Sequence, residues 1–300
     1  MSTLSTDVDP VTTAPKPPTR QKRAPSRAGA ATSNVTYYVV MTAFSLIYLV
    51  PLVWMVLSSF KSQQEIFGSP WSLPTSIDFS VLGRAWKEGG LGTYVINSII
   101  VTTVSVFAIL LFGAMAAFAL SRLNFRLRGF FLVFLALGLL LPVQSYFIAQ
   151  SSLLDRLHIT DTRWALIIPY IGLGLSLAVY LLKAYLDTLP RELFESARMD
   201  GCSDIRMFFV LVFPLIKPGL ATVAVFSILT AWNEFLLATL YIQSDEYKTI
   251  PVGLLTFTGK YATDYPMLFS ALSIVTVPMI AIYVIFHRQV ISGITEGTIR

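Results

Sequence analysis

The stretch that decides the fold is YVINSIIVTTVSVFAILLFGAMAAFAL, residues 94–120, which contains no charged residue. At 1.5 Å per residue, a helix of this length can cross a hydrocarbon core roughly 30 Å thick. Lipid offers no partners to backbone N–H and C=O groups, so an apolar run of this length must be helical. The stretch therefore predicts a transmembrane helix.

Five further apolar runs predict spans at residues 35–57, 129–149, 164–185, 218–242 and 266–286. Pro142 and Pro278 predict kinks in two of them, because proline removes a backbone donor and clashes with the preceding turn. Composition agrees: 55% of the 300 residues are hydrophobic and 13% charged, about half the charged fraction of a soluble domain. We expect an all-α, integral membrane fold with six transmembrane helices.

Charge predicts the orientation of these spans. The connections on one side of the predicted membrane carry about twice as many Lys and Arg residues as those on the other, and basic residues favour the cytoplasm. Arg122, Arg126 and Arg128, with no acidic residue among them, are the clearest indication. Both termini are therefore expected in the cytoplasm, and the net charge of +5 requires no nucleic acid as a partner.

The first 34 residues differ in composition from the rest. They are rich in Pro, Ser, Thr, Lys and Arg and hold too few apolar residues to form a core. We expect a disordered, basic cytoplasmic tail at 1–34 and a permease-like membrane domain at 35–300.

The sequence offers no enzymatic or metal chemistry. Cys202 is the only cysteine, and the two histidines lie in different connections. No nucleophile motif and no spacing typical of metal ligands occurs. We therefore predict no catalytic residues, no metal and no cofactor.

The longest connection on the predicted cytoplasmic side, about residues 186–217, contains LPRELFESARMDG at 189–201. Pro190 suits the first turn of a helix. Gly201 suits its end, because other residues suffer a Cβ clash in the left-handed conformation. Ser203 can cap a second helix, which we expect to be interrupted at Pro214 and Pro218. The pattern predicts a helix, an elbow and a helix joined to the fourth and fifth spans.

This connection resembles the cytoplasmic motif of binding-protein-dependent ABC importer permeases, E-A-A, three residues, G, nine residues, I-x-L-P. The matching positions are Glu195, Ala197, Gly201 and Pro214, and the departures are Ser196, Leu211 and Phe213. The strings at 197–201, 232–235 and 292–297 are similar to the carbohydrate type, represented by the second membrane subunit of maltose importers. The resemblance covers roughly residues 35–300.

The resemblance implies a type I importer permease with a cytoplasmic coupling helix, in the cell membrane of a bacterium. Such a subunit forms half of a translocation path for an oligosaccharide or related sugar and is not itself an enzyme. The implied partners are ABC ATPase subunits, which hydrolyse ATP, a non-identical second permease, an extracytoplasmic sugar-binding protein and membrane lipids.

The resemblance also implies roles for residues of the connection, which docks on the ATPase in this family. Glu195 becomes the charged group that pairs with a basic residue, and Gly201 becomes the elbow. Apolar neighbours supply contact area, Phe194 among them. The candidate coupling residues are Leu193, Phe194, Glu195, Ala197, Asp200, Gly201 and Pro214.

Polar residues near or within the spans suggest a path for the solute. An exposed carboxylate at Glu234 would cost roughly 2.5–3.5 kcal/mol in lipid, so it must face protein or water. Indoles stack on sugar rings and amides bind hydroxyls, which suits a sugar; hydrogen bonds to a second permease are the alternative. The path candidates are Trp232, Asn233, Glu234, Asn97 and Gln144.

Two surface features leave alternatives open. Small residues between Gly113 and Ala119 permit close approach of another helix. The connections at about 60–93 and 243–265 are rich in aromatics, Gly and Pro, which fits either docking of a binding protein or an interfacial aromatic belt.

Three other functions remain alternatives at this stage. A permease for another solute class would share all of these features. A secondary transporter would usually show repeated halves with broken helices, and no repeat is visible. A membrane-embedded enzyme would need a paired catalytic set, whereas Glu234 is the only ionisable residue deep in a predicted span.

Overall fold

A computed structural model describes residues 27–259 and 263–296 of the chain. These residues form helices with short connections, which confirms the all-α prediction. Single turns of 3₁₀ helix cover 143–145 and 254–257, and a π-helical turn covers 208–212. The α-helices are α1 Arg27–Ser58, α2 Gln63–Gly68, α3 Ser80–Lys87, α4 Leu91–Arg122, α5 Arg128–Leu140, α6 Phe147–Arg156, α7 Trp164–Thr188, α8 Glu192–Met199, α9 Asp204–Met207, α10 Phe213–Leu215, α11 Lys217–Asn233, α12 Leu236–Tyr241, α13 Ile250–Gly253 and α14 Tyr265–Glu296.

Three stretches of the described chain are single helices long and apolar enough to cross a membrane: 37–58, 91–122 and 164–188, with mean hydropathies of 2.2, 2.4 and 2.1. A fourth candidate is a bent pair, 204–215 and 217–233, whose two parts meet at 77°. The apolar helices at 128–140 and 265–277 are shorter. The count of six spans stays a prediction.

The chain divides into two units, residues 1–52 and 53–300. In the first unit the structure is helical from Arg27 onward. The predicted tail at 1–34 lies outside the described residues as far as residue 26, and residues 27–34 are part of α1. The division of the chain at residues 34 and 35 stays a prediction. The hydrophobic run that follows in the sequence extends this helix.

The predicted third span is interrupted. Helix α5 ends at Leu140, a 3₁₀ turn follows Pro142, and α6 begins at Phe147. Proline has no N–H to continue the helical ladder and disfavours helical geometry in the residue before it. The single helix expected over 129–149 is therefore two helices separated by a break at the proline that was expected to produce a kink.

Small residues bring α4 and α7 close together. A Cβ placed on Gly113 would lie 2.9 Å from the Cβ of Ala178, so the two backbones approach closely at this point. The side chain of Ile109 packs on Gly174 in the same interface. The predicted close approach to the small-residue stretch of α4 is made by a helix of the same chain. Helix α11 packs across both α4 and α7.

The connection after α1 is closed by polar contacts. Trp54 Nε1 and Lys61 Nζ donate to the carbonyl of Pro70 at 2.7 and 2.8 Å. Glu65 accepts from Thr75 Oγ1 at 2.5 Å and from the N–H of Ser62 at 2.8 Å. The Thr75 hydroxyl first, and then Ser62, lower the pKa of Glu65 to about 2. The carboxylate thus links Ser62 to Thr75 across this loop.

A second carboxylate joins the connection before α7 to the segment after α12. Asp161 has a left-handed backbone with φ of 56°, and its Oδ1 accepts from the N–H groups of Gln243 and Ser244 at 2.9 Å each. Burial alone would raise the pKa of Asp161, but the hydrogen bonds from Ser244 outweigh it and lower the pKa. The two connections are therefore fixed to each other.

Candidate functional site

The first arm of the candidate coupling segment is α8. Its ring at Phe194 is 4% exposed and packs into the core formed by α4, α7 and the turn at 208–212. Ala197 is half-buried against the same core. Leu193 and Met199 are 40% and 87% exposed. One side of this short helix is therefore anchored in the chain, and the other presents apolar side chains to the outside.

The Phe194 side chain was expected to supply contact area to a partner, but it is buried within this chain. The Arg122 guanidinium carbon lies 4.3 Å from the centroid of its ring, a distance at which the ring face attracts a cation. The same guanidinium donates through Nη2 to the carbonyls of Leu186 and Leu189, the latter at 2.9 Å. Phe194 and Arg122 together tie α8 to the ends of α4 and α7.

The elbow after α8 is a Schellman motif. The N–H of Cys202 donates to the carbonyl of Ala197, and the N–H of Gly201 to that of Arg198, both at 3.0 Å. Gly201 has φ of 75°, the left-handed conformation this motif requires. A Cβ on Gly201 would meet nothing within 4 Å, so the backbone conformation, and not crowding, explains the glycine.

The second arm starts at Ser203, whose hydroxyl accepts from the N–H of Arg206. Helical structure then continues through Pro214 to Leu215, and the chain turns at Ile216 before α11 begins. The expected interruption at Pro214 is corrected to a widened turn: residues 208–212 are π-helical, which accommodates a proline that would clash with the carbonyl four residues earlier.

Glu195 and Asp200 are the two acidic candidates on this segment, and both are exposed. Across the part of the chain that the structure describes, Glu195 makes no ion pair within 4.0 Å. Asp200 is the last residue before Gly201 and closes α8 through its backbone N–H. The Glu195 carboxylate is thus exposed and unpaired within the described chain, although it lies in the same cavity as Arg122 and Arg191.

Glu234 lies at a break in the predicted fifth span. Its carboxylate accepts from the N–H groups of Leu237 and Ala238, at 2.9 and 3.1 Å, and from the hydroxyl of Tyr170 at 2.7 Å. The two N–H groups belong to the first turn of α12, where helical donors have no backbone partner. The carboxylate therefore caps α12 and joins it to α7. Sequence reasoning missed Tyr170, although a tyrosine within a predicted span is itself a sign of such a partner.

The neighbours of Glu234 face different surroundings. Trp232 packs beside a buried cluster of α3, α4 and α14 residues. Asn233 is exposed, and its Nδ2 donates to the carbonyl of Leu229 at 2.8 Å. A cavity of about 90 Å³ beside Glu234 is lined mainly by apolar side chains. Gln144 is exposed in the 3₁₀ turn at 143–145 and does not line this cavity.

The environment of Asn97 differs from the one expected for a residue that lines a solute path. Its side chain is fully buried, with Nδ2 donating to the carbonyls of Glu246 and Lys248 at 2.7 and 3.0 Å. Its Oδ1 accepts from Arg163 Nε at 2.9 Å. The amide has no free group left to face a solute, so Asn97 is a structural link between α4 and the 243–250 connection.

These observations define a helical membrane protein with an exposed, rigidly anchored elbow, and comparison with known proteins places it in a family. Residues 109–295 match the family described as binding-protein-dependent transport system inner membrane component. The chain is 34% identical over 261 residues to the probable ABC transporter permease protein YurM of Bacillus subtilis, covering 86% of this chain and 87% of that protein.

Two further comparisons agree. The diacetylchitobiose uptake system permease protein NgcG of Streptomyces coelicolor is 32% identical over 265 residues, 88% of each chain. A solved structure of a bacterial ABC transporter that imports the acidic polysaccharide alginate matches in fold with a TM-score of 0.76 at 22% identity, covering 89% of this chain and 99% of that one.

The chain therefore belongs to the binding-protein-dependent transport system inner membrane components. It is a multi-pass membrane protein with the fold of an ABC importer permease. Family membership sets aside the self-contained secondary transporter and the membrane-embedded enzyme.

Proposed function

We propose that this chain forms half of the translocation path of an ATP-driven importer for a sugar, and that its coupling segment, residues 190–215, receives movement from a separate ATPase subunit. The single observation that carries the proposal is the anchored elbow: Phe194 fixes the segment inside, while Leu193, Met199 and Ile205 lie exposed outside. Exposed apolar residues beside an unpaired carboxylate suit a protein partner.

The mechanism follows from rigidity. Helix α8 is fixed to α4 and α7 by Phe194 and Arg122, and the second arm continues toward α11 through the bend at Ile216. A push on the exposed face cannot be absorbed by a flexible loop, so it reaches the membrane helices as a movement of packed bodies. In this scheme the Schellman elbow at Gly201 preserves the angle between the arms, and Glu195 pairs with a basic residue of the ATPase.

The substrate class rests on the relatives. They include permeases named for diacetylchitobiose, arabinooligosaccharides and multiple sugars, so we infer a carbohydrate for this chain, with another solute class as the alternative. Trp232, Asn233 and Gln144 are the proposed path residues, and Glu234 acts by capping α12 beside the path. A non-identical second permease would supply the other half.

The proposed orientation places both termini and the coupling segment in the cytoplasm. The connection after α1 then faces outward, where Trp71, Leu73 and Ile77 are 78%, 73% and 66% exposed. The polar contacts around Glu65 hold that loop in place, as a docking surface for an extracytoplasmic binding protein requires. Accessibility of single cysteines placed at 71 and at 199 to a membrane-impermeant reagent tests the orientation: only the first should react in intact cells.

The function is tested by purifying the tagged chain with its co-expressed partners and reconstituting the assembly in vesicles. ATP hydrolysis should rise when the binding protein and its sugar are added. Glu195→Gln should lower this stimulated rate at least about tenfold, because the partner's basic group loses its counter-charge. Glu192→Gln, on the same exposed helix, is the matched control and should retain the rate.

Two outcomes would refute the proposal. One is purification of a complete, transport-active assembly that holds no ATPase. The other is a Glu195→Gln assembly that hydrolyses ATP and transports sugar as the Glu192→Gln control does. Stimulation by an amino acid or peptide, and by no sugar, would refute the substrate class alone.

A further inference from the structure

A polar cavity of about 170 Å³ lies between the end of α4, the start of α5 and the first arm of the coupling segment. Four arginines line it, namely Arg122, Arg128, Arg191 and Arg198, together with Glu195 and Phe194. The volume is enough for several water molecules or one phosphate group. We call it the arginine cavity.

The charges of the arginine cavity do not balance. Among the described residues that line it, Glu195 is the one carboxylate against four guanidinium groups. Asp204 lies 3.4 Å from Arg198, but both side chains are about half exposed. Asp187 is held by Lys183 and Ser121 at 2.6 Å each. The cavity therefore keeps an excess of positive charge. Glu195 alone cannot balance four arginines, and Asp204 and Asp187 already have partners.

Arg122 is held in place by contacts within the chain, but one of its N–H donors has no hydrogen-bond acceptor in the described part of the chain. Arg122 is fixed by two backbone carbonyls and by the Phe194 ring. Its Nε is buried, and no acceptor for it exists among the residues that the structure describes. A buried donor without a partner is costly, so the chain itself satisfies the Arg122 guanidinium only in part.

We propose that the arginine cavity binds a phosphate group, supplied either by an anionic lipid headgroup or by a soluble phosphate. The planar fork of arginine matches phosphate oxygens in charge and geometry. Arg122 ends the apolar helix α4 and Arg128 begins the apolar helix α5, and such basic groups at the ends of membrane helices lie near lipid headgroups. The cytoplasmic location of the cavity rests on the proposed function.

The bound phosphate would have a mechanical effect. Arg122 and Arg128 belong to the membrane helices, whereas Arg191 and Arg198 belong to the coupling segment. A phosphate that contacts both pairs would link the segment to α5 as well, in addition to the anchoring on α4 and α7 by Phe194 and Arg122. Coupling of ATP hydrolysis to transport would then depend on the occupancy of the cavity.

Arg128 and Arg191 are the residues to change. Within the described part of the chain, neither side chain makes a hydrogen bond or an ion pair. Glutamine at either position therefore removes charge without breaking a hydrogen bond or an ion pair of the described chain. Arg126 is the matched control, because it is exposed on the same connection and does not line the cavity.

The full chain, with the subunits that co-purify, is placed in nanodiscs of phosphatidylcholine alone or with one-fifth phosphatidylglycerol. Native mass spectrometry then counts retained phosphatidylglycerol. We expect the unaltered chain and Arg126→Gln to retain it, and Arg128→Gln and Arg191→Gln each to lower retention about tenfold, the effect of losing one charge-assisted contact. In lipid-free detergent, inorganic phosphate is added while thermal unfolding is followed.

A rise in melting temperature with inorganic phosphate, absent from Arg128→Gln, would support the proposal with a soluble phosphate as the source. Retention of phosphatidylglycerol without that rise would support it with a lipid as the source. Equal behaviour of Arg128→Gln, Arg191→Gln and Arg126→Gln in both assays would overturn it. So would an acidic side chain of another subunit seated among the arginines in a structure of the assembly. Loss of the ATPase from the preparation would contradict the proposed function alone, because both readouts require only this chain.

Discussion

Replacement of Glu234 by alanine would remove the acceptor for three hydrogen bonds at once. The N–H groups of Leu237 and Ala238 and the hydroxyl of Tyr170 would lose their partner. Tyr170 is 4% exposed, so water reaches this hydroxyl poorly. Loss of a helix cap costs about 1 kcal/mol, and a buried hydroxyl left unpaired costs about 1–3 kcal/mol.

We therefore expect Glu234→Ala to lower stability by about 2–4 kcal/mol and the melting temperature by about 5–10 °C. Glu234→Gln keeps one carbonyl oxygen as an acceptor and should lose about half as much. Asn233→Ala is the control, since that amide is exposed and bonds only within its own helix. The measurement is thermal unfolding of the purified chain in nanodiscs, followed by tryptophan fluorescence.

A double-mutant cycle tests the origin of this effect. Tyr170→Phe removes the hydroxyl that contacts Glu234, so the two changes should be non-additive by about 1 kcal/mol or more. Additive losses would show that the hydroxyl and the carboxylate act independently. A melting temperature for Glu234→Ala equal to that of Asn233→Ala would refute the capping role altogether.

Three further predictions concern single contacts. Gly201→Ala should lower stability by about 1 kcal/mol because of its left-handed backbone, whereas Gly129→Ala, with open space around it, should be nearly neutral in the same unfolding assay. Asn97→Ala should cost about 2–4 kcal/mol and speed proteolysis within 243–250; cleavage at the rate of the unaltered chain would contradict the link. Glu65 is a carboxylate whose pKa in the folded chain, about 2, lies below its ordinary value of 4.5. The stability that the ionised carboxylate gives to this loop is therefore complete above about pH 4.5 and is lost as the pH falls toward 2. Pepsin cleavage within 62–75 should rise over that range of pH. Glu65→Gln, which lacks the carboxylate, should be cleaved readily even at pH 4.5.

The sequence predicted the bounds of a helix best where the helix consists of one long, uninterrupted apolar run. Residues 94–120 and 164–185 both fall within single helices, α4 and α7, and the second remains one helix although Pro169 removes a backbone donor inside it. The elbow at Gly201 was also predictable, since the positions of a left-handed glycine and a following serine cap follow from local backbone chemistry.

The break after Asn233 and the links between connections were harder to predict than the break at Pro142, because they depend on contacts between distant residues. The interruption after Asn233 is stabilised by Tyr170 from another helix, and the sequence around Glu234 does not show which distant residue it contacts. Asn97 was assigned to a path from its polarity alone, whereas its partners lie about 150 positions later in the chain. Phe194 was taken for a contact residue because a short sequence does not show which face of α8 is anchored.

Helix α11 has an interruption at each end, at Ile216 and at Glu234. Its 17 residues form a helix about 25 Å long. A sideways shift of about 5 Å at the Ile216 end, the length of one helical turn, would tilt a helix of this length by about 12° without unwinding any of it. The movement at the Asn233 end would then depend on the hydrogen bonds that join the Glu234 carboxylate to α12.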